Sequence, residues 1–178
     1  MKHFKNFKTC VYCTAQTLAS LDETTLARDY AYLEKYVGID KVYLETYRDG
    51  TWVAIDHMKM IQNFFKKHGV EIAGGITTVT PPLEKDDVKR QRLFQTFCYS
   101  NEAMRTYLKK IVTYTAELFD EIILDDFFFT SCTCDDCLRE RSNLSWAEYS
   151  SKKMIDVAEN LVLKPPKLAN PSVKVSIK

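Results

Sequence analysis

The sequence predicts an α/β fold, read as the N-terminal half of a (β/α)8 TIM barrel with about four βα units and the start of a fifth strand. Three observations predict it. Segments with strand-type and helix-type apolar spacing alternate four times along the chain, the pattern of parallel strands joined by right-handed crossovers. Polar residues fall near the C-terminal end of every strand: Gln16 and Thr17 on the first, Glu45 and Arg48 on the second, Thr77 and Thr78 on the third, Asp125 and Asp126 on the fourth. In a barrel those ends meet on the face where substrate binds. An open doubly wound sheet also fits the alternation, but the first strand-to-helix turn, residues 17–22, carries no G-x-G-x-x-G, and Gly74-Gly75 is not that motif either.

Each element has a local justification. Residues 9–18 read as a strand, and residues 23–36 as a helix with Leu26, Tyr30, Leu33 and Val37 at helical spacing and Asp22 as N-cap. Residues 41–47, KVYLETY, form the second strand, and residues 55–68 a second helix closed by Gly69. Residues 70–77 are the third strand. A long loop, 78–99, contains Pro81-Pro82 and a charged run over 84–92. Ser100 and Ala103 open a helix that runs to about residue 119, followed by a strand over 121–128. Ser145 caps a fourth helix to about residue 163, and residues 174–177 begin the fifth strand.

The 178 residues, 46% of them hydrophobic, suffice for one sizeable core, so a single domain over residues 1–178 is expected. Lys and Arg number 25 against 24 Asp and Glu. Such a balance lacks the electrostatic footprint of a nucleic-acid or anionic-membrane partner. The cations of residues 85–92 are interleaved with acids, as in a solvated loop. No apolar run approaches the ~20 residues of a membrane span, and Met1 to Lys8 leads into no signal-peptide core.

Six cysteines are unevenly spread. Cys132, Cys134 and Cys137 share one loop, Cys98 lies one helix upstream, and Cys10 and Cys13 belong to the first strand. Three clustered thiols with one from afar suit a metal site, and an all-thiolate tetrahedron selects zinc. Buried free thiols or a Cys132–Cys137 disulfide are the alternatives. Asp125 and Asp126 end an apolar strand, where alternate residues face opposite ways, so only one of the two points into a barrel. For Glu45 and Arg48 the plainer alternative is a rim salt bridge, and for Gln16 a satisfied core amide.

The segment Phe97-Cys98-Tyr99-Ser100-Asn101, the helix after it, the strand ILDDF and the Cys132-x-Cys134-x-x-Cys137 cluster resemble the corresponding part of glycoside hydrolase family 42. They also resemble uncharacterised barrel proteins, many from gut bacteria, that are grouped with the glycosidases. The resemblance implies a TIM barrel that hydrolyses glycosidic bonds with retention, and a zinc held by Cys98, Cys132, Cys134 and Cys137. That zinc would be structural, since four thiolates leave no position for water; no organic cofactor is implied. The family has Asn-Glu at the end of its fourth strand, the Glu acting as acid/base. Here Asp126 takes that position and Asp125 the neighbouring one, a carboxyl one bond shorter in reach. The aromatic run 127–129 is expected to surround Asp126 and raise its pKa. Gln16, Glu45 and Arg48 would bind sugar hydroxyls, with Tyr47, Trp52 or Tyr99 as stacking platforms.

Retaining hydrolysis needs two carboxyl groups about 5–5.5 Å apart, and the family's nucleophile lies on a seventh strand. The expectation is therefore an N-terminal fragment or truncated product, inactive in isolation, whose open parallel edge could associate with a second copy. A non-catalytic carbohydrate-binding barrel and a zinc-stabilised interaction module are the two readings from other classes.

Overall fold

The computed structural model describes residues 4–79, 93–126 and 128–178; Pro81-Pro82 and the charged run over 84–92 lie outside them. β1 (Cys10–Cys13), β2 (Lys41–Arg48), β4 (Glu71–Ile76), β5 (Glu121–Leu124) and β6 (Lys174–Ile177) form a parallel sheet in the order β1-β2-β4-β5-β6. A short β3 (Thr51–Trp52) pairs antiparallel with the end of β2. The fold is α/β, as expected, and matches half of a TIM barrel. Among the described residues the sheet does not close.

Several boundaries differ from the expectation for identifiable reasons. The first strand stops at Cys13, and α1 (Ala15–Ser20) begins where the Thr14 hydroxyl accepts from the Thr17 amide, a capping bond that turns the chain helical. Gln16 and Thr17 are thus on a helix, not a strand. β2 and β3 are joined at Asp49-Gly50, both with positive φ, the dipeptide that a tight two-residue hairpin demands. Between β4 and β5, α4 (Glu102–Leu118) is capped by Asn101, not Ser100. β5 ends at Leu124, before the two aspartates, although the Asp125 amide still bonds the Ile76 carbonyl. A further helix, α5 (Asp135–Arg141), follows Cys134. Past α6 (Trp146–Val157) the chain stays helical through a π turn, Ala158–Leu163, into α7 (Lys164–Ala169). Pro165 and Pro166 open α7 directly after the π turn, where each lacks the N–H that a continuing helical ladder would use. α2 (Glu23–Tyr36) and α3 (Ile55–Lys67) lie as the spacing predicts.

The pleat sorts β2 as far as Glu45, after which the register against β4 shifts and brings Tyr47 into the core. Val42 and Leu44 pack with Leu18, Met58 and Ile61 in one apolar core, while Tyr47, Ile76, Ile111, Leu124 and Leu161 belong to a second. Thr46, fully buried, meets the Thr115 hydroxyl of α4 at 2.6 Å. On the opposite pleat Tyr43 stacks near Tyr12, and Lys41 reaches Glu121 of β5.

α4 approaches β4 closely because Gly74 lacks a side chain. A Cβ there would sit 2.6 Å from Thr115 Cγ2 and 2.8 Å from Phe119 Cδ2. Gly74→Ala is expected to lower stability by about 1–3 kcal/mol, the usual cost of overpacking, measured as a shifted denaturant midpoint at unchanged slope. Unaltered stability would mean that α4 does not press on this strand.

Candidate functional site

At the C-terminal ends of the strands a hydrogen-bonded group is centred on Glu45, which has no solvent exposure. One carboxylate oxygen accepts from the Tyr12 hydroxyl at 2.8 Å and from the Thr77 hydroxyl; the other accepts from the Ala15 amide at 2.7 Å. Arg48 Nε donates to both, at 3.1 and 2.8 Å. β1, α1, β2 and the end of β4 thus converge on one carboxylate. The ion pair compensates a buried charge that would otherwise be costly. Burial pulls against the Arg48 charge, but the hydrogen bond and field of Glu45 hold the guanidinium above its usual range. Burial, with the Glu45 charge added, pushes the Tyr12 hydroxyl well above the ordinary tyrosine value.

Arg48 also extends toward Asp125, with Nη2 3.5 Å from Oδ2. The two aspartates differ in exposure: the Asp125 side chain is 14% exposed and the Asp126 side chain 53%. Lys178 lies 3.2 Å from Asp125 and 3.0 Å from Asp126, and the two carboxylates hold its ammonium above the ordinary range, Asp126 first. The carboxylate of Asp126 therefore meets solvent and a cation; of the aromatic run expected around it, Phe127 lies outside the described residues.

Gln16 sits on the surface of α1, its amide donating to the Arg48 carbonyl at 3.5 Å. The structure thus brings Gln16, Glu45, Arg48, Asp125 and Asp126 to one end of the sheet. Glu45 presents no surface to a ligand. Tyr47 and Tyr99 are core residues, 0% and 1% exposed, so neither can stack on a sugar. Trp52 is half buried, edge-on to Tyr47, Tyr107 and Tyr114, with Lys110 over its ring. Tyr12 was missed by sequence reasoning, although its place two residues after Cys10 on β1 puts it beside Tyr43 and on the pleat of Glu45.

A second constellation lies in the segments that follow. Cys98, Cys132, Cys134 and Cys137 are all buried, with sulfurs within 4.8 Å of one another. Cys98 lies 3.7 Å from Cys134 and 3.6 Å from Cys137, and Cys134 lies 3.6 Å from Cys137. Sulfurs about 2.3 Å from a tetrahedral zinc would be about 3.8 Å apart, so these spacings fit the group. A disulfide needs about 2.05 Å, and all six cysteines are free, which removes the Cys132–Cys137 alternative. Hydrogen bonds from Cys132 and Cys98 pull the Cys137 thiol far below its usual range, while hydrogen bonds with Cys132 and then Cys137 push Cys98 up. Such a set can hold a soft or borderline metal cation with no position left for water. Cys10 and Cys13 stand apart on β1.

The sequence is 32% identical over 198 aligned positions to an uncharacterised protein of Saccharolobus solfataricus, an alignment that takes in 98% of this chain and 32% of that protein. The chain therefore spans about a third of the length of this relative. Residues 1–178 match the family described as "Probable glycosyl hydrolase, catalytic domain". With parallel strands that deliver paired carboxylates to one end of the sheet, and a match over its whole length, the chain belongs to this probable glycosyl hydrolase catalytic domain family.

Proposed function

We propose that this chain contributes the acid/base side of a glycoside hydrolase active site, of the zinc-binding type that glycoside hydrolase family 42 exemplifies. The observation that carries the reading is the division of labour between the two aspartates: Asp126 is open to a ligand, while Asp125 is tied through Arg48 to buried Glu45. Asp126 protonates the glycosidic oxygen as the bond to the anomeric carbon breaks. As a carboxylate it then takes a proton from the water that resolves the glycosyl intermediate. Asp125 and Arg48 fix the direction of approach, and Gln16 with the outer edge of Arg48 contacts sugar hydroxyls. Glu45 acts on the sugar only through Arg48. The nucleophilic carboxylate comes from a later strand of the full-length protein, for which the relative, about three times as long, has ample chain. On this reading the isolated half is inactive. Cys98, Cys132, Cys134 and Cys137 hold a structural zinc that secures the segment after β5.

The test is Asp126→Asn in the full-length protein with aryl glycosides of graded leaving-group acidity. Glycosides with poor leaving groups should lose about 10²–10⁴ in rate, whereas a leaving group that departs without a proton should lose far less in the first step. Equal rates in parent and variant on the poor leaving groups would remove Asp126 from the acid/base role. A parent protein that binds oligosaccharides with no turnover would favour the carbohydrate-binding barrel.

A further inference from the structure

The stacking platform that a carbohydrate site needs is not supplied by Tyr47 or Tyr99, which are enclosed, nor by Trp52, which stands edge-on to its neighbouring tyrosines. A different ring holds an exposed position at the strand ends. Phe94 is 63% exposed, and it and Gln95 both take the left-handed backbone conformation, at φ 53° and 55°. That conformation is strained for a side chain as bulky as phenylalanine, and it persists only where the surroundings impose it. Anchors lie on both sides. Thr96, fully buried, bridges Val79 just past β4, and Phe97 is fixed in the core. The Leu93 amide donates to the Ser131 hydroxyl at 2.8 Å.

These anchors keep Phe94 at the end of the sheet that carries Asp126. β4 and β5 are neighbours, and residues 93–96 return over the end of β4 beside residues 128–131, which follow β5. In that second segment Phe128 turns toward Tyr99 and the core, whereas Phe129, three residues after Asp126, meets Phe94 edge to face with ring centroids 6.5 Å apart. We infer that Phe94, braced by Phe129, stacks on the leaving-group sugar of the substrate and sets the preference for it. The apolar C–H face of a sugar ring suits the electron-rich face of an aromatic one. The anomeric carbon sits between Asp126 and a nucleophile from a later strand, over the middle of the barrel. Asp126 gives its proton to the oxygen joining the two sugars, so a ring on the rim beside the Asp126 segment meets the sugar that departs. The inference rests on the hydrolase reading above.

The experiment compares the full-length parent with Phe94→Asn, Phe94→Tyr and Phe129→Ala. A panel of p-nitrophenyl glycosides first identifies the sugar that the parent releases. The proteins are then assayed on the disaccharide of that sugar and on its glycosyl fluoride, whose leaving group has no ring to stack. Asparagine tolerates the left-handed conformation, so Phe94→Asn removes the ring without adding strain. It should lower kcat/KM on the disaccharide by about 10–100-fold, the loss of one buried aromatic contact, and leave the fluoride unchanged. Phe94→Tyr, which keeps the ring, should hold the parent rate on both substrates, and Phe129→Ala should give a smaller loss on the disaccharide alone. A parent that turns over none of these compounds overturns the hydrolase reading and this inference with it. An active parent whose disaccharide rate is unchanged in Phe94→Asn, or whose two substrates lose rate equally, overturns this inference alone.

Discussion

Cys98→Ser and Cys134→Ser proteins are expected to retain no zinc on purification under reducing conditions without chelator, against about one equivalent in the parent. Elemental analysis reads this directly. The effect should be large because the cluster spans two distant parts of the chain: Cys98 lies 36 residues before Cys134 and 39 before Cys137. A metal at that point fastens the start of α4 to α5. In small zinc domains such a site contributes on the order of 10 kcal/mol of folding free energy. Here the two apolar cores persist without it, so the loss should be local. Proteolysis after the arginines of α5, Arg139 and Arg141, should become fast while the β2-β4-β5 core stays protected. A parent devoid of zinc would remove the metal from this fold, and serine variants that keep it would remove Cys98 and Cys134 from its ligands.

Glu45→Ala should be the most destabilising single change at the strand ends. It leaves the Tyr12 and Thr77 hydroxyls, the Ala15 amide and the Arg48 guanidinium without their common acceptor. Removing one partner of a buried pair in this way costs about 3–5 kcal/mol. Arg48→Met should cost less, because Glu45 keeps three donors and the arginine side chain is 22% exposed. The double variant should fall short of the sum of the single changes, since the two side chains touch. Denaturant unfolding of the four proteins gives the cycle. Strict additivity would mean that the two side chains contribute independently. Asp125 should feel the same loss, so a full-length Glu45→Ala protein that folds should bind substrate more weakly even though Glu45 touches no ligand.

The alternation of strand and helix could be read from the chain because apolar residues at period two and at period 3.6 rarely coexist in one segment. Residues 23–36 and 174–177 were placed to the residue on that basis. Residues 9–18 were not, since an apolar run with threonines at 9, 14 and 17 suits a strand as well as a capped helix, and only the Thr14 bond to the Thr17 amide decides. Asp49-Gly50 signalled a hairpin that was passed over. At the site, the cysteine spacing was enough to group three thiols on one loop, and the family resemblance supplied Cys98 as the fourth. The fate of Glu45 was hidden for a different reason. Periodicity tells which face a side chain takes, whereas complete enclosure of that face depends on Tyr12, Thr77 and the turn into α1, which come from three other stretches of chain.

The strand order has a consequence for biosynthesis. Apart from the small β3 hairpin, spatial order follows chain order, so every new parallel strand pairs with the one made just before it. A nascent polypeptide emerging N-terminus first can build this sheet by accretion, each βα unit docking on an edge already in place, with no strand waiting for a distant partner. The thiols keep a different schedule. Cys98 emerges before β5 exists, and its partners arrive only after that strand has been synthesised, so the knot closes late, on a platform the ribosome has already delivered.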